Sequence, residues 1–415
     1  MKTRHVLTSL VAVALGAGAV LIALNVSHAP LARSALRARS GQSFSPISVT
    51  FSSPNNGWVL GTARCASSRT CLALRKSTNA GRTWSVVSLS PSLLGIADSP
   101  VAGATSATAQ GASLHVQFAD ARNGWIYGSL VVPVSTTSAY GILRPALWST
   151  HDGGLLWLRQ RLAWIEGGNP VLAVGASHGT VYLMAMNRES TVTVEKSPVG
   201  SDAWRESKAG LLQGPAGGAE MGGAFVFEGS SGWLIEGNDR GVSGSARFVN
   251  NGPWSAWTPP CNSVGDSFAV PATSTAQNLV VVCTMGGFAY QLSKAAPRGA
   301  TLGSSWLYFS HNGGRSFLPG PELKPVKSFR YFSNSVLASP KPGVLFVNRP
   351  VGSGTSEELV ASFDGGVHWV TVYAGWPTYL QFASATKGVG IIQSTGSQTM
   401  IMTSDGGRHW KPVRF

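Results

Sequence analysis

The sequence predicts an all-β chain built as a ring of four-stranded antiparallel blades. Two short motifs recur along it at a regular spacing, and the composition agrees with them. Fifty Gly and 14 Trp against only 18 Asp plus Glu in 415 residues is turn-rich, aromatic-rich β usage rather than helical usage. A chain of this length can remain one unit, because closed β folds routinely outgrow ordinary domains.

The first motif is Ser/Thr-x-Asp/Asn-x-Gly-x-x-Trp/Phe, called the box below. It occurs at 77–84 (Asn79, Trp84), 150–157 (Asp152, Trp157), 310–317 (Asn312, Phe317), 362–369 (Asp364, Trp369) and 403–410 (Asp405, Trp410). The second motif precedes several boxes by about twenty residues or more. It is Phe51-x5-Gly57-Trp58, Phe118-x5-Gly124-Trp125, a one-residue-shorter Phe227 to Gly232-Trp233, and a worn Phe382-x5-Gly388-Val389. Together they define a unit of about 40 to 50 residues with four short apolar runs, the period of a propeller blade. Degenerate boxes at 197–204 and 248–254 fill the gap between Trp157 and Ser310. The expected architecture is therefore a seven-bladed β-propeller, with six to eight blades compatible with the worn middle.

Within each unit the inner strand precedes the Phe and the second runs through Gly-Trp. The third leads into the box, and the outer strand follows it. In the last unit these fall at 379–382, 388–393, 399–403 and 408–415. Gly-, Ser- and Pro-rich insertions at 89–111, 132–145, 207–223 and 285–304 lie between second and third strands or between blades. The box itself is a tight hairpin turn. Its short acceptor side chain bonds turn N–H groups, its glycines take φ values other residues resist, and its aromatic residue returns the chain into the blade. Asn79, Asp152, Asn312, Asp364 and Asp405, with Trp84, Trp157, Phe317, Trp369 and Trp410, are thus expected to be structural.

The N-terminus carries Lys2 and Arg4, then a nearly uncharged run over 6–24, then Ser27-His28-Ala29. This is the layout of an export segment, either a cleaved signal or a retained membrane anchor. The organisation expected is residues 1–29 signal or anchor, 30–45 linker and 46–415 propeller, with Arg33, Arg37 and Arg39 in a solvated linker. In an oxidising compartment the four cysteines pair as Cys65 with Cys71 and Cys261 with Cys283, each pair bracketing a loop. Neither spacing suits a zinc site, and no metal or cofactor is expected.

The repeated box resembles the Asp-box (BNR) repeat of sialidase-like propellers. Combined with Phe-x5-Gly-Trp, it is more similar to the Ycf48-like branch, of photosystem II assembly-factor type, over about residues 46–415. The resemblance implies a β-propeller and, for a sialidase, an Arg-Ile-Pro motif, two further arginines, a Tyr-Glu pair and an Asp acid. The Arg-Pro pairs here, Arg144-Pro145 and Arg349-Pro350, both follow the first box, and there is no Arg-Ile-Pro. For other glycoside hydrolases, Glu166, Glu236, Asp239, Asp266, Glu357 and Glu358 are the acids to bring together, since such enzymes need two facing carboxylates.

Box turns and insertion loops emerge on opposite faces, and binding concentrates on loops held by a rigid scaffold. Ligand contacts are therefore expected on the insertion face, with Tyr140, Arg144, Glu166, Arg298 and Arg349 as candidates. A net charge of +14 favours acidic protein or glycan partners of the cell envelope. Nucleic acid is not expected for an exported chain, and a monomer is. The favoured function is a non-catalytic, extracytoplasmic binding or assembly scaffold, with a sialidase-like or other glycoside hydrolase as the alternative.

Overall fold

The computed structural model describes residues 44–64, 70–89, 93, 114–133, 141–162, 171–186, 192–207, 212–213, 220–238, 241–263, 267–285, 304–323, 336–351, 356–394 and 397–415. They form seven antiparallel sheets in a propeller, six in simple meander order and the fourth a meander with one extra short strand at its edge.

Blade 1 is β1 (Ser45–Phe51), β2 (Gly57–Arg64), β3 (Thr70–Ser77) and β4 (Ser85–Val87). Blade 2 is β5 (Leu114–Phe118), β6 (Gly124–Pro133), β7 (Gly141–Thr150) and β8 (Leu158–Arg159). Blade 3 is β9 (Val171–Ser177), β10 (Thr180–Met186), β11 (Val192–Pro198) and β12 (Arg205–Glu206). The chain then adds β13 (Leu212–Gln213) to the edge of β16 before building blade 4 from β14 (Glu220–Glu228), β15 (Ser231–Asn238), β16 (Gly241–Phe248) and β17 (Ser255–Ala256). Blade 5 is β18 (Ser267–Thr273), β19 (Leu279–Met285), β20 (Ser305–Ser310) and β21 (Leu318–Leu323). Blade 6 is β22 (Leu337–Lys341), β23 (Val344–Val351), β24 (Ser356–Ser362) and β25 (Val370–Ala374). Blade 7 is β26 (Trp376–Phe382), β27 (Gly388–Ser394), β28 (Ser397–Thr403) and β29 (Lys411–Pro412). The last outer strand is shorter than its expected span, because the box turn runs to residue 410 and Pro412 has no N–H with which to extend the ladder.

The Phe-x5-Gly motif has a direct structural cause. Phe51 pairs with Gly57, Phe118 with Gly124, Phe227 with Gly232 and Phe382 with Gly388 across the first hairpin of their blades. The Phe ring lies over its glycine: a Cβ on Gly57 would stand 2.6 Å from the Phe51 ring, and one on Gly388 2.7 Å from Phe382. Only a missing side chain leaves room for the ring.

The core is distributed rather than central. The described residues bury seven hydrophobic clusters, each shared by two neighbouring blades. Trp58, Trp125 and Trp233 are fully buried in three of these seams. Each such ring removes a large apolar area from water, so the seams supply most of the fold's stability.

Cys261 and Cys283 form a disulfide. Cys261 sits in a 3-10 turn (Pro260–Ser263) after β17, and Cys283 lies in β19. The bridge therefore ties the exit of blade 4 to the second strand of blade 5, enclosing the whole of β18 rather than one loop. Cys71 is also disulfide-bonded, and Cys65 lies outside the described residues. So do residues 1–43, which carry the expected export segment and most of the linker. No helix among the described residues is long and apolar enough to cross a membrane.

Candidate functional site

The box turns have the geometry expected of them. In the last one, the Thr403 hydroxyl donates to Asp405 Oδ1 at 2.8 Å and accepts the Gly407 N–H at 3.0 Å. Asp405 Oδ1 accepts the N–H groups of Arg408 and His409 at 3.1 Å each. Trp410 Nε1 then donates to the Gly407 carbonyl at 3.0 Å. The turn hydrogen bonds recur around Asp152, Asn312 and Asp364, and the indole bond recurs at Trp157 and Trp369. The Asn312 box ends in Phe317 instead, and its Gly314 carbonyl accepts from Trp257 Nε1 at 2.8 Å. Asn79 makes a reduced version. Gly406 and Gly407 have φ of +75° and +82°, where a side chain is strained.

The boxes also lock the blades together. Along each blade one cross-strand row ends beside the box, and its second-strand members are Trp58, Trp125, Tyr182, Trp233, Val280, Phe346 and Val389. The box of the following blade seats on this row. Trp58 Nε1 donates to Gly153 O at 3.4 Å, and Trp233 Nε1 to Gly313 O at 3.2 Å. Gly407 lies against the Phe346 ring, Gly366 near Phe309 and Gly81 against Met402. Five seams are sealed in this way.

The two remaining seams are those whose following blade has a degenerate box. Between blades 2 and 3 a polar plug replaces the box contact. Asp202, from the turn after β11, accepts at Oδ2 from Ser149 at 2.8 Å and Gln160 at 2.7 Å. His151 Nε2 stands 3.3 Å from the same oxygen, and its Nδ1 2.9 Å from Asn123 Oδ1. This Ser, His and Asp set is not a nucleophile relay, because the carboxylate stands between hydroxyl and imidazole and Ser149 is fully buried. Trp125 Nε1, which has no box carbonyl to meet, is buried without a hydrogen-bond partner.

Between blades 3 and 4 aromatic residues of blade 4 pack on the row, but no box carbonyl or polar plug closes its outer part. The turn after β16 is Val249-Asn250-Asn251-Gly252-Pro253, with both asparagines at φ +54°, and it does not cover the row. The result is a cavity of about 790 Å³ whose lining includes Tyr182, Lys196, Arg205, Phe248, Asn251 and Trp254. Six of the seven row positions are buried, whereas Tyr182 is half-exposed. Its ring packs on Phe227 and Phe248 with centroids 5.5 and 5.9 Å away, and on Trp254 edge-on at 5.6 Å. Burial raises the Tyr182 phenol above its ordinary value, so it stays a neutral donor.

The row continues from Tyr182 to Lys196 and then to Arg205, each directly paired with the next. Side chains of paired residues share a face, so the ring and the two exposed cations lie side by side. Glu195 and Glu206 pair one residue along; Glu195 is buried, while Glu206 is exposed and reaches the lining of the cavity. Burial first, and then the Glu206 carboxylate, push Glu195 up to about 7.

Of the residues expected to contact ligand, Tyr140, Glu166 and Arg298 lie outside the described residues. Arg144 is placed by its backbone in β7, opposite Leu130. Arg349 Nε donates to Glu358 Oε1 at 2.7 Å, and Nη2 to the same oxygen, while Thr371 donates to Glu358 Oε2 at 2.8 Å. The cleft opens at the box end of the blades, since turns joining first to second and third to fourth strands line it. Among the acids expected of a hydrolase, Glu236 lies in β15, and Glu357 and Glu358 lie in β24 of a different blade. Asp239, Asp266 and Glu166 lie outside the described residues. No group of three or more His, Cys, Asp or Glu that would hold a metal occurs among the described residues. The cleft residues do not stand out in the sequence, although a signal is present: the box departs from its Ser/Thr-x-Asp/Asn-x-Gly-x-x-Trp/Phe form in blades 3 and 4 alone.

No protein-family model matches the chain, and no curated protein sequence does. Solved structures do match in fold. The BP39L lectin from Burkholderia pseudomallei aligns over 90% of this chain and 99% of its own, at 13% identity and a TM-score of 0.54. A PL25 ulvan lyase, a polysaccharide lyase bound to a GlcA-Rha3S repeat, aligns over 90% and 96%, at 10% identity and a TM-score of 0.52. Ycf48 bound to a D1 peptide aligns over 88% and 92%, at 16% identity and a TM-score of 0.49. At these identities the likeness to the lectin and the lyase establishes the β-propeller fold alone.

Proposed function

We propose that this chain is an extracytoplasmic binding module that holds an envelope ligand in the open seam between blades 3 and 4. One observation carries the reading: of seven equivalent row positions, Tyr182 alone is not buried, and it lines a cavity. A ring of repeated blades has no structural need to leave one seam open, and leaving aromatic surface wet costs stability. The Cys261–Cys283 disulfide and the N-terminal basic and apolar run support a location outside the cytoplasm. The net charge of +14 supports an acidic partner. Binding without catalysis is favoured because Glu206 is the one carboxylate among the described residues lining the cavity, whereas a glycoside hydrolase needs two facing acids.

The test is co-sedimentation of the full-length chain with isolated cell-envelope polymer, comparing the unchanged protein with Tyr182→Ala. The variant should lose at least about tenfold in retention, the scale of one aromatic anchor. Equal retention, with both proteins folded by circular dichroism, overturns the seam as the site.

A further inference from the structure

We infer that the cleft between blades 3 and 4 takes an acidic saccharide, with a sugar ring against Tyr182 and its carboxylate between Lys196 and Arg205. The inference rests on the seam being the binding site and goes further by naming the ligand class.

Charge decides between neutral and acidic sugars. Lys196 and Arg205 are exposed on the cleft, and among the described residues neither is in an ion pair. The cations that hold the register position of Lys196 in blades 1 and 4 are engaged. Lys76 stands over the Trp58 ring at 5.0 Å, and Arg247 Nη1 donates to Gly313 O at 3.0 Å. Lys196 holds the same register position but meets no box carbonyl, because blade 4 has Asn251-Gly252-Pro253 there. Glu206 also lines the cavity, but it pairs with Glu195, one register position away from Lys196 and Arg205. The two adjacent cations outnumber it and are a seat for an anion, and the arginine fork fits a planar carboxylate.

Shape decides between a sugar and a macromolecular surface. The cavity is in the range of small-ligand sites and far from a flat interface of roughly 800 Å² per partner. A peptide adding to the blade edge would find only the two residues of β12, too short a ladder to hold it. The row of Tyr182, Lys196 and Arg205 covers two strand spacings, roughly 10 Å, enough for one ring and the carboxylate beside it. Ser177, Thr180 and Asn251 line the same cavity and offer hydroxyl and amide partners to sugar hydroxyls.

The experiment is calorimetric titration of the full-length chain with uronic-acid trimers of galacturonate, glucuronate and mannuronate type. The neutral trimers of the corresponding hexoses and a thymidine trinucleotide serve as comparators. At least one uronate trimer should bind about tenfold or more tightly than its neutral counterpart, and more weakly as salt rises. Lys196→Ala/Arg205→Ala should erase that preference, and Tyr182→Ala should weaken acidic and neutral trimers alike. Lys196→Ala/Arg205→Ala should melt with the unchanged protein, since both side chains are exposed. Tyr182→Ala should melt lower because its ring packs on Phe227, Phe248 and Trp254, and its titration is made at a temperature where circular dichroism shows it folded. Equal affinity for acidic and neutral trimers, no binding of any uronate, or tighter binding of the trinucleotide each overturns the acidic-sugar assignment. Those results leave the seam itself to the envelope co-sedimentation. Uronate binding unchanged in both variants overturns the location.

Discussion

A box aspartate and a box asparagine serve the turn identically through Oδ1 and differ only at the second side-chain atom. Asn79 and Asn312 carry an amide there, and it donates to the hydroxyls of Thr83 and Ser316 at 2.8 Å each. Asp364 and Asp405 carry an acceptor, and it meets the Nδ1 of His368 and His409 at 2.6 Å. In these four boxes the residue four positions on matches whether the side chain donates or accepts a hydrogen bond, whereas Asp152 has Leu156 there and only its backbone N–H to accept. For Asp364 the His368 backbone N–H, then the His368 ring and the Ser362 hydroxyl, lower the carboxyl to about 2. The opposite case is Glu195, pushed up to about 7 by burial and by Glu206 from an ordinary 4.5. A carboxyl that binds its proton more tightly when folded stabilises the fold in its protonated form. That contribution is complete below pH about 4.5 and is lost as pH rises to about 7. Glu195→Gln should therefore melt close to the unchanged protein at pH 4.5 and clearly above it at pH 8. Parallel melting curves across that range would show that the pair does not titrate with folding.

At the level of elements, the box is a fastener for the preceding blade as much as a turn within its own. Trp233 and Trp125 hold the same row position and are both fully buried, but only Trp233 finds a box carbonyl. Replacing each by Phe removes the same volume, so the difference isolates the hydrogen bond. Trp233→Phe leaves the Gly313 carbonyl short of one donor, while Trp125→Phe removes a buried donor without a partner. Trp233→Phe should cost more by about 1 kcal/mol in denaturant unfolding; equal costs would remove the box from seam energetics. This division also explains how much was legible in the sequence. Blade count, strand order and turn chemistry were readable because each is a local pattern repeated several times. The seat of a box on the neighbouring row is a contact between units, and no spacing within one unit encodes it. Tyr182, Lys196 and Arg205 belong to three strands of a blade without a clear motif, so only pairing brings them together. The emphasis on insertion loops followed chain composition, whereas the described cleft arises where a motif is absent.

For the whole molecule, the decisive question is how the ring stays shut. Every blade is made from one continuous stretch of chain, so no strand crosses the join between blade 7 and blade 1. The closure is side-chain packing: Val49, Phe51 and Val59 against Val389, Ile391 and Met400. The two ends of the described chain meet over it. Phe415 packs edge-on to Phe44 at 4.5 Å and lies 5.8 Å from Trp84, and the Arg75 guanidinium caps both phenylalanine rings at 5.0 and 5.6 Å. By contrast, the seam between blades 4 and 5 is closed covalently by Cys261–Cys283, a bridge across 22 residues that contributes roughly 3 kcal/mol in the chain-entropy picture. The uncrosslinked join should then be where opening starts. Phe415→Ala removes a half-buried ring whose loss costs about 1 to 3 kcal/mol. Amide exchange should accelerate first in β1, β2, β27 and β28, with β19 and β20 unchanged. Uniform acceleration in all seven blades would mean that the ring unfolds as one unit, and that its ends carry no special role in holding it closed.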